Sequence, residues 1–228
     1  YHQVARSLEM QRNFVADVSH ELRTPLTTLR GNLGLLQRDP PIPVDEQADI
    51  LGDMTDESDR LIRLVNGLLV LARADAGKSL IEETVTIQSV LEETCSQAHL
   101  LDPQRSITLV AGDLSIKGDR DALKQVLLIL LDNALKHSAG SILVSAERKG
   151  EQIEIRVQDR GEGISPEKLK HVFDRFYRGG DDVTIPGFGL GLPIAKALVE
   201  GQGGSIKMES KLGKGSVVSL LFPGVDSG

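Results

Sequence analysis

The chain has 228 residues, of which 26% are charged and 40% hydrophobic, and its net charge is −7. This is the composition of a globular protein with one large or two modest domains, and the acidic balance disfavours a general nucleic-acid binder. The single cysteine, Cys95, excludes an internal disulfide and indicates a reducing compartment.

No membrane span or signal peptide is predicted, because the longest strongly apolar run, residues 126–131, is far below the roughly 18 residues that a span needs. Tyr1 begins inside a helical heptad repeat, without a cap or a loop before it. We therefore expect a cytoplasmic piece of a longer protein. Its sensor or membrane segment would lie upstream and would anchor the full-length protein in the cell membrane.

Residues 1–37 predict one long helix, because residues that suit a helical seam recur in alternating steps of four and three. They are Val4, Leu8, Gln11, Val15, Val18, Leu22, Pro25, Leu29, Asn32 and Leu36. Three prolines within residues 40–43 end this helix. A second stripe, which follows the suitable N-cap Asp45, predicts a second helix. It consists of Leu51, Met54, Ser58, Leu61, Val65, Leu68 and Ala72, and Ile50, Ile62 and Leu69 widen it.

Two amphipathic helices joined by a short turn form an antiparallel hairpin. A lone hairpin cannot cover both stripes, so we expect an all-α helical hairpin that forms a four-helix bundle as a homodimer. Packing against the rest of the chain is the alternative. We place this domain at residues 1–76, a linker at 77–83 and a second domain at 84–228.

The second domain is predicted to be an α+β sandwich, in which helices cover one face of one sheet. The predicted strands are 84–87, 106–110, 141–147, 152–158, 205–209 and 216–222. The predicted helices are 89–101, 121–136, 166–173 and 190–200.

His20 is a candidate nucleophile on the first helix. It points away from the seam, and Pro25 cannot bond the carbonyl of Glu21, which predicts a kink beside an exposed imidazole. A neutral imidazole has one nitrogen free to attack, while the Glu21 carboxylate can hold the N–H of the other nitrogen. Taken alone, such a pair is more often a solvated surface pair.

Two polar groups of the second domain suit a nucleotide. The amide oxygen of Asn133 suits Mg²⁺, and Lys136, one turn along, can reach phosphate. Asp159, at a strand end and followed by Gly161 and Gly163, can accept a hydrogen bond from the amino group of adenine. Either group alone could be a polar helix end or a strand-ending turn.

The glycines of residues 187–191 lead into a helix, where free N–H groups and the positive helix end can bind phosphate. The loop is neither a Walker loop nor a Rossmann fingerprint. A flexible hinge would have the same composition. Residues 173–178 precede this loop, and apolar side chains alternate there with cations. In isolation this pattern predicts a basic amphipathic turn that covers the core.

The string Ser-His-Glu-Leu-Arg-Thr-Pro-Leu, residues 19–26, closely resembles the phosphoacceptor box of sensor histidine kinases. The four regions of the second domain, followed by Gly213-Lys214-Gly215-Ser216, resemble in their order the N, first-glycine, F, second-glycine and last-glycine boxes of the GHKL ATP-binding fold. This resemblance to the HisKA and HATPase domains covers nearly the whole chain.

The resemblance implies ATP-dependent autophosphorylation of His20, followed by transfer to an aspartate in the receiver domain of a response regulator. It implies Glu21 as the orienting base, Thr24 in a reverse phosphatase activity, and Asn133 as the ligand of Mg²⁺. Residues 179–186 would form a mobile lid over ATP. The residues implied to bind the nucleotide are Asn133, Lys136, His137, Asp159, Gly161, Gly163, Ile164, Tyr177, Arg178, Gly187, Gly189, Leu190, Gly191, Leu192, Gly215 and Ser216.

Ile129 departs from the family pattern, because the N box usually carries a second asparagine there. An isoleucine cannot ligate a metal, which predicts weaker Mg²⁺ binding. Gyrase-type ATPases carry a water-activating glutamate at this place, and its absence favours transfer to a side chain over hydrolysis. The alternatives are a GHKL ATPase or serine-directed anti-sigma-type kinase, and a nucleotide-binding scaffold without transfer.

Overall fold

The computed structural model describes residues 2–39, 41–75, 82–179 and 187–225, with the side chains of the first helix at residue 12 and from residue 14 onward. The chain divides into two compact units, Tyr1–Leu69 and Val70–Gly228. Most of the predicted linker, residues 77–83, lies outside the described residues, so the predicted domain boundaries stay predictions. Within the described part of the chain, no helix combines the length and the apolar character of a membrane span.

The first unit is built from two long helices, α1 (His2–Leu36) and α2 (Val44–Asp75), of which α2 extends into the second unit. Gln47 stabilises the start of α2 through two hydrogen bonds. Its backbone N–H donates to Pro43 O at 3.0 Å, and its Nε2 donates to Ile42 O at 2.8 Å. These bonds satisfy carbonyl groups of the proline-rich turn and fix where the second helix begins.

The heptad repeat of α1 follows the burial of its side chains from residue 18 onward. Pro25 is buried, and the other seam residues from Val18 to Leu36 are half-buried. Val15, the seam residue before this range, is exposed over 58% of its surface. The helix continues through Pro25 without interruption, although that residue has no N–H to donate to Glu21 O.

The stripe predicted for α2 stays a prediction, because it is the surface that a second copy of the chain is expected to cover. Leu64 and Leu71 are buried, with 0% and 1% of their surface exposed, and the predicted stripe contains neither. Leu51 and Val65, which the stripe does contain, keep 54% and 45% exposed. The helix carries apolar residues on more than one face, and a repeat alone does not say which face the chain itself covers.

The second unit contains two sheets. Its strands are β1 (Glu83–Thr86), β2 (Ile107–Ala111), β3 (Ser115–Gly118), β4 (Ile142–Lys149), β5 (Gln152–Gln158), β6 (Ser205–Lys211) and β7 (Gly215–Pro223). The larger sheet has the order β2-β4-β5-β7-β6, with only the β2–β4 pair parallel. In the smaller sheet β1 pairs antiparallel with β3, a strand that the sequence pattern did not predict.

Helices line one face of the larger sheet. They are α3 (Ile87–Leu101), α4 (Arg120–His137), α5 (Pro166–Leu169) and α6 (Gly191–Glu200). The strands alternate, and their inward side chains include the fully buried Val144, Ile155 and Leu220. The predicted arrangement of one sheet covered on one face is therefore observed, although α5 is shorter than the predicted helix 166–173.

Candidate functional site

The first candidate site is on α1, where His20 and Thr24 are exposed and Glu21 is half-buried. The hydroxyls of Ser19 and Thr27 donate to the carbonyls four residues earlier, at 2.7 and 2.8 Å, so they are engaged by the helix itself. The ring of His20 thus faces solvent, as the helical period predicts. The roles of these three residues stay predictions.

In the second unit, the predicted phosphate-binding and metal-binding groups lie at the end of α4. Lys136 Nζ lies 2.6 Å from Asp132 Oδ2, and both side chains are partly exposed, so the lysine has a carboxylate partner in this state. Desolvation lowers the pKa of the neighbouring His137, and the charge of Lys136 lowers it further. Asn133 is half-buried beside them.

The carboxylate of Asp159 is held in place by backbone hydrogen bonds. Its Oδ1 accepts the backbone N–H of Gly161 at 2.7 Å and that of Ser216 at 3.2 Å. Its own N–H donates to Ser216 O at 2.9 Å. Two donors on one oxygen fix the carboxylate and leave Oδ2 for a ligand, an arrangement that suits the exocyclic amine of a purine.

Glycine is required at several of the predicted nucleotide-binding positions. A Cβ on Gly161 would strike His137 O, and one on Gly215 would lie 2.9 Å from Arg160 Cα. Gly163 has φ +72°, and its added Cβ would lie 2.6 Å from Lys211 C. The backbone of the first-glycine region therefore packs directly on two neighbouring segments, an approach that no side chain permits.

The start of α6 meets the segment that follows α5. Phe176 N donates to Gly189 O at 3.1 Å, and Gly189 has φ +66°, with Tyr177 O 2.6 Å from where its Cβ would lie. Leu190, the N-cap residue of α6, is buried and provides no side-chain cap. The first N–H groups of the helix are therefore not capped by that residue and are suited to an anion.

Ile129 lies next to the start of α6, since its Cγ2 is 3.2 Å from where a Cβ on Gly191 would be. The departure from the family pattern thus faces the glycine loop with an apolar methyl group. Of the predicted lid, residues 179–186, all but Gly179 lie outside the described residues.

The remaining predicted residues surround this region. Tyr177 is half-buried, with its ring 5.4 Å from that of His171, and Arg178 is exposed. Ile164 N donates to Ser210 Oγ at 2.8 Å, while Gly187 and Leu192 are half-buried. The structure therefore brings the end of α4, residues 159–164, the start of β7 and the start of α6 together within one unit.

Two residues of this region had no signal in the sequence pattern. Ser210 Oγ accepts from Ile164 N and lies 3.0 Å from both Gly215 O and Ser216 Oγ, so it joins two glycine regions. Arg105 contacts carbonyls at the end of α4. Arg105 contacts residues that are distant in the sequence. Ser210 contacts the distant Ile164 and two residues across the turn that follows it, and neither Arg105 nor Ser210 belongs to a motif.

The residues present fit an adenine nucleotide carrying Mg²⁺. Within the described residues, no three His, Cys, Asp or Glu side chains gather into a metal site. Mg²⁺ commonly keeps several waters and takes only one or two protein ligands besides phosphate, so a single amide oxygen at Asn133 is compatible with it. The oriented carboxylate of Asp159 is compatible with adenine.

Comparison with known proteins gives two family matches. Residues 10–77 match the His Kinase A (phospho-acceptor) domain, and residues 118–226 match the histidine kinase-, DNA gyrase B-, and HSP90-like ATPase. The two matches lie in the order that the sequence resemblance predicts. The chain belongs to the sensor histidine kinases. Its predicted fold class, a helical hairpin followed by a GHKL-type α+β sandwich, is confirmed.

This histidine kinase core is 36% identical to the signal transduction histidine-protein kinase ArlS of Staphylococcus aureus, over 96% of the present chain and 50% of ArlS. The chain thus spans about half the length of that relative. Among solved structures, the Acinetobacter baumannii histidine kinase AdeS matches with a TM-score of 0.72 and 26% identity, covering 90% of this kinase core and 97% of AdeS. Full-length ShkA, in complex with AMPPNP, matches with a TM-score of 0.69 and 27% identity over 93% and 46% of the two chains.

Proposed function

We propose that this chain is the kinase core of a two-component sensor histidine kinase. ATP bound in the second unit phosphorylates His20, and the phosphohistidine then passes its phosphoryl group to an aspartate of a response regulator. The observation that carries the proposal is the prepared acceptor at Asp159, in a chain whose phosphoacceptor string presents an exposed His20.

ATP is the nucleotide that the second unit suits. Asp159 Oδ2 would accept the adenine amino group, while Gly161 and Gly163 let the backbone approach the base closely. The start of α6 and the cations Lys136 and Arg178 would bind the phosphates. ShkA, a protein of the same fold, has been solved in complex with AMPPNP, and this supports the assignment.

Mg²⁺ would be held by the amide oxygen of Asn133, by water and by the phosphates, whose negative charge the ion neutralises when bound. Ile129 adds no ligand. On binding, Lys136 would exchange its contact with Asp132, which is 2.6 Å long and partly exposed, for one with phosphate. Such an exposed ion pair contributes little stability, so the exchange has a small energetic cost.

In the first chemical step, an unprotonated nitrogen of His20 attacks the γ-phosphorus of ATP. A P–N bond forms, the bond to the bridging oxygen breaks, and ADP leaves with the electron pair. Glu21 holds the N–H of the other ring nitrogen and takes the proton that the phosphorylated imidazolium loses.

In the second step, a carboxylate oxygen of the regulator attacks the same phosphorus, the P–N bond breaks with its electron pair going to the His20 nitrogen, and Glu21 returns the proton to the ring. A shallow groove on α1 supports docking of the regulator near His20. It is lined by Ser19, Leu22, Arg23, Leu26, Thr27 and Arg30. Thr24, exposed one turn after His20, is proposed to orient water for the reverse phosphatase reaction.

Dimerisation is supported by the family of the first unit and by apolar surface that one chain leaves open. The exposed large apolar residues of the two helices, within the described side chains, are Val15, Leu26, Leu33, Val44, Leu51, Ile62, Val65 and Leu69. We propose that a second copy covers them in a four-helix bundle, since such a repeated apolar face is unfavourable in water. A cytoplasmic location, with a sensor or membrane segment elsewhere in the full-length protein, belongs to the same proposal.

Incubation with radiolabelled ATP and Mg²⁺ tests the central claim. We expect acid-labile, alkali-stable label on the chain, abolished in His20→Ala and retained in the control His99→Ala, which changes an exposed histidine on α3. The His20→Ala variant should still bind ATP.

Other outcomes separate the alternatives. Acid-stable label would favour a serine-directed kinase, and release of free phosphate without label would favour an ATPase. Nucleotide binding with no label under varied divalent ions would favour a scaffold. Label followed by rapid transfer to a receiver domain supports the second step.

A further inference from the structure

We propose that Arg105, in the turn between α3 and β2, is a positioning residue that sets the shape of the nucleotide pocket. It would act through the backbone at the end of α4 and would not touch the nucleotide. The inference rests on the proposed function of the pocket in binding ATP. Arg105 lies outside residues 118–226, which match the ATPase family.

The guanidinium of Arg105 has four oxygen partners. Nη1 donates to Ser138 O and to Gly140 O, the latter at 3.1 Å. Nη2 donates to Leu135 O at 3.4 Å, and Nε donates to Asp102 Oδ2 at 3.0 Å. Only 13% of the Arg105 side chain is exposed, so little water is available to replace these contacts.

The partners of Arg105 explain why an arginine is needed. The last carbonyls of a helix have no intrahelical donor, and the helix end carries partial negative charge. A planar, always charged guanidinium satisfies one of them, Leu135 O, together with Ser138 O and Gly140 O just after the helix, whereas a lysine offers one point charge. Arg105 is itself fixed, because its backbone N–H donates to Asp102 O at 3.0 Å.

The carbonyls that Arg105 holds belong to residues packed against the first-glycine region. A Cβ on Gly140 would lie 2.8 Å from Arg160 Cβ, and one on Gly161 would lie 3.0 Å from Ser138 Cβ. There is no spare space between the two segments. A shift of residues 138–140 must therefore move residues 160–161 as well.

A shift of residues 160–161 would displace the carboxylate of Asp159, the proposed acceptor for adenine. The N–H of Gly161 donates to Asp159 Oδ1 at 2.7 Å and is one of the two bonds that orient this carboxylate. Arg105 also holds the carbonyl of Leu135 in the last turn of α4, which carries Lys136 and directly follows Asn133. Arg105 thus connects the adenine side and the phosphate side of the pocket at one point.

The test compares Arg105→Lys with Arg148→Lys in the full chain. Arg148 is a matched control, because its Nη2 also donates to a backbone carbonyl, Val225 O at 2.9 Å, but on the strand β4 away from the glycine regions. We expect Arg105→Lys to weaken ADP and ATP binding by about tenfold, the scale of a lost charge-assisted hydrogen bond. Arg148→Lys should bind as the unchanged protein does.

Two further measurements distinguish positioning from a general loss of stability. In an NMR spectrum of the nucleotide-free protein, the amide resonances of Gly161 and Ser216 should move in Arg105→Lys and stay in place in Arg148→Lys. In a double-mutant cycle with Asp159→Asn, the losses in ADP affinity should be non-additive, because both changes act on the same carboxylate. Additive losses with unmoved resonances would overturn the proposal.

Asp102→Asn is the second variant if Arg105→Lys does not fold. It removes the charge that orients Nε but leaves the guanidinium, and we expect about a threefold loss of ADP affinity. Unchanged affinity in every folded variant would refute the positioning role while leaving ATP binding intact. Failure of the unchanged protein to bind adenine nucleotides would instead refute the proposed function.

Discussion

Asp159 and Ser216, which are 57 positions apart, are joined by two backbone-anchored hydrogen bonds: Asp159 N–H donates to Ser216 O at 2.9 Å, and Ser216 N–H donates to Asp159 Oδ1 at 3.2 Å. These bonds extend the pairing of β5 and β7 by one residue, at the end of β5 and the start of β7. Oδ1 of Asp159 therefore has a structural role, and Oδ2 is the oxygen that we propose for the amino group of adenine.

Asp159→Asn should weaken ADP binding by about 1–3 kcal/mol, the cost of a mispaired buried group. The asparagine oxygen can still accept from Gly161 and Ser216, but its NH₂ then faces the amino group of adenine, donor against donor. Calorimetric titration measures the effect. Glu162→Gln, an exposed acid of the same loop, is the control and should bind normally. An unchanged dissociation constant for Asp159→Asn would remove this residue from the site.

Gly163→Ala should destabilise the protein more than Gly213→Ala. The two glycines have φ +72° and +73°, so both alanines carry about 1–2 kcal/mol of left-handed backbone strain. A Cβ at Gly163 also meets Lys211 C at 2.6 Å, whereas one at Gly213 meets nothing within 4 Å. We expect overpacking to add about 1–3 kcal/mol at Gly163, measured by urea unfolding. Equal losses would mean that the loop relaxes around the methyl group.

The stability of the protein should fall as the pH is lowered, partly through His137. Desolvation lowers the pKa of this histidine in the folded state, so the unfolded state binds more protons below the ordinary pKa of 6.5. The contribution is therefore complete above 6.5 and is lost as the pH falls through that value towards the lower folded pKa. In denaturant unfolding across this window, His137→Gln should show a shallower pH slope than the unchanged protein.

The ion pair of Arg175 and Asp75 should show measurable coupling. Arg175 Nη2 lies 2.8 and 2.9 Å from the two carboxylate oxygens of Asp75, the last residue of α2. The side chains are 34% and 59% exposed, so a double-mutant cycle with Arg175→Gln and Asp75→Asn should give about 0.5–1 kcal/mol. The pair Lys207–Glu209, 72% and 71% exposed, should give almost none. Equal coupling in both pairs would contradict this ranking.

Local pattern was sufficient for most of the secondary structure. The heptad of α1 and the alternation of β4, β5 and β7 depend on which residues share a face, and that is decided within a few positions. The strand β3 was missed because its four residues, Ser115–Gly118, have no helical or strand-like run of their own and form a strand by pairing with β1. The side of α2 that the single chain buries, with Leu64 and Leu71, was not predicted, since apolar residues occupy several faces of this helix.

The sequence by itself determined the order of the domains and the family, and it selected the candidate site residues, including Asp159 and its neighbouring glycines. It did so because short-range spacing and residue chemistry are written along the chain. Only the tertiary structure decided that Ser210 supports Ile164 and that Arg105 holds the end of α4, contacts that span 46 and 33 positions. Such contacts have no period in the sequence, since they arise where packing brings a donor to carbonyl or amide groups that the local backbone leaves without a partner.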